Sequence, residues 1–268
     1  MTATLAGLYI HPVKSAAGIA CDSAVLGPHG LEHDREWMIV DAAGRFITQR
    51  DEARLALLAV AIGGGCLQLS NPQGLGPSLP LAHEGELREV LVWRSKCAAF
   101  DAGEEVAQFL SEWLGRPLRL VRFDARRARW SNHDWTAGRD VPNQFSDGYP
   151  LLVLSQASVD DLSVRVGKGL PVERFRANIV LDGVAPYAED AADGLVAGPA
   201  RFALTKACTR CVITTIDHTR GERDGDEPLR TLKRYRFDQS LRGVIFGRNA
   251  YATAGVGTVL RRGMPVEL

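Results

Sequence analysis

The chain has 268 residues, of which 46% are hydrophobic and 24% are charged. This composition is typical of a folded globular protein with enough apolar material for one large domain or two small ones. Lysine and arginine together number 32, and so do aspartate and glutamate. No net positive field therefore exists to attract long nucleic acid or an anionic membrane surface, and dedicated binders of either kind are disfavoured.

The amino-terminal segment MTATLAGLYIHPVKS has no basic stretch leading into an apolar one, and no later stretch is long and apolar enough to cross a bilayer. We therefore expect no membrane association and a cytoplasmic location. The five cysteines, at positions 21, 66, 97, 208 and 211, form an odd and sparse set. We expect them to be free thiols in a reducing compartment.

The first half of the chain predicts short strands. Glycine or proline interrupts it about every ten residues, and the runs between them are rich in β-branched or aromatic residues, as in LAGLYIHPV and VLVWRS. This rhythm is typical of a β-barrel or sandwich. In REWMIVD we expect Arg35, Trp37 and Ile39 on one face of a strand. Met38 and Val40 then lie on the other face, and AAGR turns the chain into FIT.

Two helices are predicted from periodicity and end signals. In GEEVAQFLSEWLG, apolar residues from Val106 to Leu114 recur three and four positions apart, and Gly115 and Pro117 end the pattern. A second helix is indicated by SVDD at 158–161, a capping-box pattern after the apolar strand YPLLVLS. We expect the first helix to cover a sheet.

The second half predicts further strands in RFRANIVLDG, GPARFALTKA, TTIDH and GVGTVLRRGMPVEL. Within FRAN, Arg176 and Asn178 are two positions apart, so they are expected on the same face of a strand. The segment 122–145 between the halves is polar, studded with aromatic residues and without a clear period. It predicts a domain junction and a mobile loop.

Cations and aromatic residues alternate in this central segment, at Arg126, Arg127, Arg129, Trp130 and Trp135. Three roles are open for them: to clamp a substrate, to dock an acidic electron donor, or to form a solvated loop. Such interleaving also permits stacking on nucleobases.

The CTRC motif, Cys208 to Cys211, has four interpretations. A structural zinc site needs two further ligands, and only His218 lies close in sequence. A thioredoxin-like dithiol starts a helix, whereas ALTKACTRCVITTID predicts strand, turn and strand. The pair can also be two packed cysteines beside a strand, or one thiolate can ligate a soft, high-valent metal within a cofactor. Spacing alone does not choose among the four.

Several positions favour the anionic cofactor. HPVKS places Lys14 and Ser15 after a proline-initiated bend, where an ammonium, a hydroxyl and backbone donors can converge on a phosphate. Arg35 and Arg176 offer planar guanidinium groups for bidentate phosphate binding, and the amide of Asn178 can donate to and accept from a heterocycle. For each arginine taken singly, a surface salt bridge is the alternative.

Six strings, in this order and spacing, resemble MOSC-domain proteins that carry an N-terminal MOSC β-barrel, a group with the mitochondrial amidoxime reducing component and bacterial N-hydroxylaminopurine-resistance proteins. They are LYIHPVKSAAGI, GLEHDREWMIVDAAGRFITQR, FRANIVLDG with YAED, ACTRCVITTID, PLRTLKRYR and IFGRN. The resemblance implies a β-rich α+β fold with a few surface helices. It places an N-terminal MOSC β-barrel domain at 1–121, a junction at 122–145 and a MOSC β-barrel domain at 146–268.

The resemblance further implies a molybdenum cofactor, a molybdopterin dithiolene with a terminal phosphate, bound between the two domains. Cys211 matches the metal-ligating, catalytic cysteine, and Cys208 a neighbour that does not ligate. The positions that match contacts to the phosphate and pterin are Lys14, Ser15, Arg35, Arg176, Asn178, Thr209 and Arg210.

The chain departs from the family pattern at three places. It has FRAN where relatives often have FRPN, and Gly148 where a hydroxyl residue often stands, which leaves Ser146 and Asp147 to supply contacts there. Asn249, in FGRN, stands where some relatives have an aromatic residue near the cofactor.

The implied activity is that of a molybdenum-dependent oxidoreductase that reduces N-hydroxylated compounds: hydroxylamines, amidoximes or N-hydroxylated nucleobases. The substrate oxygen passes to molybdenum, and two protons and two electrons release water. Asp147, as a catalytic residue, and His218 are candidates for the general acid by residue type and neighbourhood.

Electrons are expected from a separate ferredoxin or cytochrome b5 type protein with its reductase, because the chain reaches Leu268 without a cluster of cysteines. The alternative function is a carrier that delivers sulfur or the cofactor itself through the CTRC thiols. A binding module would need neither a metal nor a reactive thiol.

Overall fold

The computed structural model describes residues 2–268. Its strands are β1 (Thr4–Ile10), β2 (Ile19–Cys21), β3 (Ser23–Gly27), β4 (Gly30–Leu31), β5 (Trp37–Asp41), β6 (Ala59–Gly63), β7 (Cys66–Asn71), β8 (Gly74–Pro80), β9 (Leu87–Val92), β10 (Ser95–Asp101), β11 (Leu118–Phe123), β12 (Leu151–Ser155), β13 (Ile179–Asp182), β14 (Gly194–Ala197), β15 (Ala200–Thr209), β16 (Ile216–Asp217), β17 (Glu222–Arg223), β18 (Phe237–Asp238), β19 (Gly243–Ala254) and β20 (Val259–Arg261). The α-helices are α1 (Glu104–Leu114), α2 (Gln156–Val166), α3 (Ala188–Ala191) and α4 (Leu229–Tyr235). Short 3₁₀ turns cover Ala53–Leu57, His133–Trp135, Val172–Phe175 and Val212–Thr215.

The largest sheet joins the two ends of the chain. Its strand order is β14-β15-β19-β12-β13-β1-β2, with β18 paired to β19. Only β12 and β13 run parallel among these pairs within residues 2–268, since α2 connects them. Strand β1 thus pairs with β13 of the carboxy-terminal half, β2 pairs with β1, and β20 pairs with β3. The domain boundaries at 121 and 146 stay a prediction.

A four-stranded sheet, β5-β11-β10-β9, and a three-stranded sheet, β6-β7-β8, form most of the amino-terminal half. Strand β5 is buried on both faces, with Trp37 and Ile39 in one apolar cluster and Met38 and Val40 in another. This alternation was predicted and is confirmed. Because both faces are covered, β5 fixes the position of the residues that precede it.

Helix α1 covers this core as predicted. It buries Val106, Leu110 and Trp113, and each such side chain contributes about 2 kcal/mol relative to an exposed one. Gly115 ends the helix in the left-handed conformation, with φ of 73°.

Helix α2 begins earlier than the capping-box pattern predicted. Its first residue is Gln156, and the hydroxyl of Ser155 caps it by accepting a hydrogen bond from the backbone N of Ser158. The prediction that Ser158 caps the helix is wrong because its hydroxyl donates to the buried carboxylate of Glu189 over 2.9 Å and accepts from the backbone N of Tyr187.

Arg35 does not lie on a strand. Strand β5 starts at Trp37, and Arg35 occupies the left-handed region with φ of 51°. Its backbone N donates to the carbonyl of His11, which belongs to a segment that passes alongside. The predicted placement on a strand face with Trp37 is therefore wrong, because a tight turn precedes the strand.

Arg176 and Asn178 also lie outside the strand predicted for them. The 3₁₀ turn Val172–Phe175 ends at Arg176, which has φ of 56°, and β13 begins only at Ile179. Their two-residue spacing therefore does not place them on one strand face. The left-handed turn, stabilised by the Arg176 N–H to the carbonyl of Glu173, sets their directions instead.

The central segment is irregular apart from the end of β11 and the 3₁₀ turn His133–Trp135. Ser131, Thr136 and Asn143 are nevertheless buried within it, and the hydroxyl of Tyr251 donates to the carbonyl of Thr136. The segment thus packs on both halves of the chain, and its mobility stays a prediction. Within residues 2–268, no helix has the length and apolar character needed to span a membrane.

Candidate active site

Residues from seven separate segments converge on one cavity of about 140 Å³. The site residues expected from the sequence, except the general-acid candidate His218, line it: Lys14, Ser15, Arg35, Ser146, Asp147, Arg176, Asn178, Thr209, Arg210, Cys211 and Asn249. The fold brings together positions that are as far apart in sequence as Lys14 and Asn249.

Lys14 is fixed at both ends. Its backbone N donates to the carbonyl of Trp37 over 2.7 Å, and its Nζ donates to the carbonyl of Phe145 over 2.7 Å and to the carboxylate of Asp147. Burial lowers the pKa of Lys14, while the charge of Asp147 opposes that shift. The HPVKS segment therefore presents an ammonium group in a fixed position, followed by Ser15 with φ of 67°.

Arg35 is the centre of a hydrogen-bond network at the cavity. Its Nη1 donates to Oδ2 of Asp34 over 2.5 Å and to Oδ1 of Asn178 over 2.8 Å, and its Nη2 donates to the carbonyl of Arg176 over 3.0 Å. The carboxylate of Asp34 is buried and also accepts from the backbone N of His11. Arg35 thus ties the turn before β5 to the turn before β13.

Arg176 carries an incompletely satisfied guanidinium group. Its Nη1 donates to the carbonyl of Ala16 over 2.6 Å, but its buried Nη2 has no hydrogen-bond partner in the described residues. Burial, with the neighbouring charge of Arg35, lowers the pKa of Arg176 to about 9. Because a group with this pKa is still protonated at neutral pH, the environment of Arg176 favours an anion beside it.

The CTRC motif begins in the last two residues of β15, Cys208 and Thr209, and leaves the strand at Arg210. The carbonyl of Cys211 accepts from the backbone N and the Oγ1 of Thr214, which starts the 3₁₀ turn Val212–Thr215 before β16. The predicted order of strand, turn and strand is therefore confirmed, and the turn is of the 3₁₀ type. No group of three or more metal-ligating side chains forms within residues 2–268.

The two cysteines of this motif have different surroundings. Arg210 Nη1 donates to Sγ of Cys208 over 3.1 Å, and Arg210 Nη2 donates to the carbonyl of Phe175 over 2.7 Å. Cys211 instead lies beside the guanidinium group of Arg50, which reaches it from the amino-terminal half. Each sulfur thus has its own cationic neighbour.

Asp147 is held by cations and is unsuited to donate a proton. Burial alone would raise its pKa, but the charges of Lys14 and then Arg50 hold it well below the usual value. Trp93 Nε1 also donates to its Oδ1 over 3.3 Å. His218 does not line the cavity, and burial followed by the charge of Arg176 lowers its pKa to about 4. At neutral pH, Asp147 is therefore an ionised carboxylate and His218 an uncharged imidazole, so neither is in its acidic form.

Sequence reasoning did not name Arg50, and it left the role of Arg129 open among a substrate clamp, a docking site and a solvated loop. Arg50 contacts Asp147, with 3.4 Å between Nη2 and Oδ2. Burial would lower the pKa of Arg50, but Cys211 and Asp147 outweigh that effect and raise it. Arg129 Nη1 donates to the carbonyls of Gln144 and Ser146 over 2.5 and 2.8 Å. Arg50 ends the string GRFITQR, which was a signal, and Arg129 belongs to the central segment in which cations and aromatic residues alternate.

Comparisons with known proteins agree with this architecture. The family model described as MOSC N-terminal beta barrel domain matches residues 2–117, and that of the MOSC domain matches residues 140–267. Mitochondrial amidoxime-reducing component 1 of Mus musculus is 35% identical over 280 residues, which cover 99% of this chain and 82% of the relative. Mitochondrial amidoxime reducing component 2 of Bos taurus is 34% identical, with 87% and 72% covered.

Among solved structures, the YUAD protein from Bacillus subtilis aligns over 99% of this chain and 94% of its own, with 12% identity and a TM-score of 0.44. This similarity is too low to support an argument. The sequence matches are sufficient: the chain belongs to the MOSC family and contains both its N-terminal β-barrel domain and its MOSC domain. The predicted β-rich α+β fold with these two domains is thereby confirmed.

Proposed function

We propose that this chain is a molybdenum-cofactor-dependent reductase of N-hydroxylated compounds. The observation that carries the proposal is the buried, unpartnered Nη2 atom of Arg176, which lines the same cavity as Cys211. A buried cation without a counter-ion suits an anionic cofactor, and a thiol beside it suits that cofactor's metal. The names of the amidoxime-reducing relatives support the substrate class.

The chemistry of the cavity fits a pterin cofactor that bears a phosphate. Its lining contains one carboxylate, Asp147, against the five cations Lys14, Arg35, Arg50, Arg176 and Arg210. Arginine forks and a fixed ammonium group are the donors that phosphate oxygens accept from most strongly. The excess of positive charge therefore matches a group with more than one negative charge.

In this proposal, Lys14, Ser15 and Arg176 hold the phosphate, and the thiolate of Cys211 ligates the metal. Thr209, Arg210, Ser146 and Asn249 line the same cavity and would contact the pterin. Asn178 positions Arg35, because its Oδ1 already accepts from Arg35 and from the backbone N of Leu152. When bound, the cofactor supplies a two-electron redox centre for removal of oxygen from nitrogen.

The chain's own residues then orient the substrate and stabilise charge. Arg50 neighbours both the sulfur of Cys211 and the carboxylate of Asp147, so its positive charge is available to both groups. Asp147 remains ionised and accepts a hydrogen bond from the N–H or O–H of the substrate. A hydroxylamine, two protons and two electrons give an amine and water, and we propose that solvent supplies the protons.

Electrons come, in this proposal, from a separate ferredoxin or cytochrome b5 type protein. The test is to produce the chain in a host that synthesises the cofactor, and to measure molybdenum, pterin and the reduction of benzamidoxime with reduced methyl viologen. We expect molybdenum and pterin in equal amounts, and loss of both in Arg176→Gln. Exposed Arg234 on α4 provides the matched control, Arg234→Gln, which keeps both.

Folded protein that contains no molybdenum would contradict the proposal. A sulfur or cofactor carrier, the alternative function of the CTRC thiols, predicts a loaded chain that does not turn over benzamidoxime.

A further inference from the structure

A second cavity adjoins the first. It measures about 920 Å³ and shares Thr48, Arg50, Asp147, Gly148 and Tyr149 with the cavity that holds Cys211. Its size is within the usual range of about 300–1,000 Å³ for sites that bind small molecules. We refer to it as the entrance groove.

We propose that the entrance groove binds the substrate and selects planar aromatic N-hydroxylated compounds that carry a carboxylate or a phosphate. The inference rests on the proposed function, because it concerns the substrate of the same site. It is carried by one strained tryptophan and by an excess of positive charge in the lining of the groove.

Trp93 lies in a two-residue hairpin turn between β9 and β10, where Val92 pairs with Ser95. Its φ is 56°, in the left-handed region that such turns usually fill with glycine or asparagine. About half of its side chain, 51%, is exposed. A bulky residue held in a strained conformation and exposed to solvent points to a functional role rather than to stability.

The contacts of Trp93 direct its ring along the groove towards the site. The ring packs against Phe46, with 5.1 Å between centroids, and the Arg50 guanidinium lies 4.9 Å from the centroid of the Trp93 ring. Its Nε1 donates to Asp147 at the border of the two cavities. Trp130, which is 47% exposed, also lines the groove. Indole faces of this kind bind planar rings by stacking.

The charges in the groove are unbalanced. Its cations are Arg45, Arg50, Arg94, Arg129 and Lys206, and its carboxylates are Asp51 and Asp147.

Both carboxylates already have partners. Asp147 binds Lys14 and Arg50, and Asp51 accepts hydrogen bonds from the N and Oγ1 of Thr48.

The cations at the rim are free to meet a ligand. Within residues 2–268, Arg45, Arg94 and Lys206 make no salt bridge, and Lys206 lies 5.6 Å from the centroid of the Trp135 ring. Guanidinium and ammonium groups bind carboxylates and phosphates alike. A substrate with an anionic substituent therefore gains binding affinity from the cations at this rim, whereas a cationic substrate is repelled by them.

Binding is tested first, without turnover. The full chain is titrated with 4-carboxybenzamide, benzamide and acetamide, none of which is an N-hydroxylated substrate, and quenching of tryptophan fluorescence is followed. We expect 4-carboxybenzamide to bind about tenfold more tightly than benzamide, because two exposed ion pairs each add about threefold. Acetamide should not bind, and salt should reduce the preference.

Variants separate the two contributions. Arg94→Gln and Lys206→Gln should each raise the Kd for 4-carboxybenzamide by about threefold and leave the Kd for benzamide unchanged. Trp93→Gly relieves the backbone strain, so it should fold at least as stably as the parent and lose most of the binding of both aromatic compounds. Trp93→Phe should retain most of it, and Arg234→Gln should behave as the parent.

Turnover by the cofactor-loaded chain is then compared for 4-carboxybenzamidoxime, benzamidoxime and acetamidoxime. The KM should rise in that order. The KM for N-hydroxycytidine 5′-monophosphate is also compared with the KM for N-hydroxycytidine. This second comparison distinguishes a preference for phosphate from a preference for carboxylate. Equal KM values for neutral and anionic aromatic compounds overturn the inference and leave the reductase intact. A cofactor-loaded chain that binds 4-carboxybenzamide selectively but reduces none of the N-hydroxylated compounds would support the inference about the entrance groove. The same result would contradict the proposed function.

Discussion

Arg35 donates from Nη1 to Oδ1 of Asn178 over 2.8 Å, and so connects two turns that are 143 positions apart in sequence. The same amide oxygen accepts from the backbone N of Leu152, and Nδ2 donates to the carbonyl of Tyr9. Asn178 is buried, so its side chain is the point at which three segments of the chain are held together.

Asn178→Leu should destabilise the chain by about 3 kcal/mol, because it leaves a charged donor, a backbone N–H and a carbonyl without a partner in a buried site. Urea unfolding followed by circular dichroism measures the change. Asn249→Leu is the matched comparison, since Asn249 is only partly buried and its Nδ2 donates to one carbonyl, that of Lys206. Equal stability of Asn178→Leu and the parent would contradict the role of this amide.

The buried charge of Arg176 leads to a prediction about anions. The pKa of Arg176 is lowered in the folded chain, so the unfolded chain binds more protons between about 9 and the ordinary value of 12.5. Unfolding free energy should therefore rise with pH in that interval, and the cost of the buried charge is fully present at neutral pH.

An anion that binds Arg176 should remove that cost. In the cofactor-free chain, inorganic pyrophosphate at tenfold its Kd should add about 1.4 kcal/mol and raise the Tm by roughly 3 °C. Arg176→Gln should lose most of this shift, whereas Arg234→Gln should keep it. A shift of the same size in all three proteins would mean that the anion binds elsewhere.

The sequence predicted those features whose cause is local. The alternation from Trp37 to Val40 and the periodicity of α1 depend on neighbouring residues, and both are confirmed. Arg35 and Arg176 were assigned to strands, yet both have positive φ. Spacing by two positions reports a shared face only if the backbone is extended, and nothing in the composition of these turns reveals the left-handed conformation.

The sequence predicted the candidate site only in part, and it did so by family resemblance rather than by local pattern. The residues around Cys211 were found by family resemblance, because ordinary spacing arguments left four interpretations of CTRC open. Arg50 and Trp93 were not found, although they contact Asp147 across 97 and 54 positions of sequence. Such contacts depend on how the two halves pack, and no local pattern encodes them.

The two cysteines should differ in function. Cys211→Ala should abolish the reduction of benzamidoxime by cofactor-loaded protein and release the molybdenum. Cys208→Ala should retain much of the activity, since the sulfur of Cys208 accepts a hydrogen bond from Arg210 rather than facing Arg50. Steady-state kinetics together with metal analysis measures both effects. Equal losses in the two variants would indicate a dithiol or zinc mechanism instead.

Arg129 should control the segment that carries Asp147. Its guanidinium donates to the carbonyls of Gln144, Ser146 and Asp147, so Arg129→Met should cost about 2 kcal/mol and loosen this segment. Hydrogen exchange of the amides of 144–147 should become faster, and the KM for benzamidoxime should rise. Exposed Arg127 is the control, because its side chain makes no hydrogen bond within residues 2–268. Unchanged exchange in Arg129→Met would contradict the prediction.

Asp147 should make the unfolding free energy of the chain depend on pH in the acidic range. Its pKa is depressed below the ordinary 3.8 in the folded state by Lys14 and Arg50, so its contribution is fully present well above pH 3.8. That contribution is lost as the pH falls below 3.8 towards the depressed value, because protonation then removes the charge that both cations contact.

The difference in unfolding free energy between the parent and Asp147→Asn should therefore be constant from pH 7 to about pH 5 and shrink below pH 4. Urea unfolding at a series of pH values measures it. Glu105→Gln on the exposed face of α1 serves as the control, because Glu105 forms no salt bridge in the described chain. A difference that grows as the pH falls has the opposite sign, and it would mean that Asp147 is protonated more readily in the folded chain than in the unfolded one.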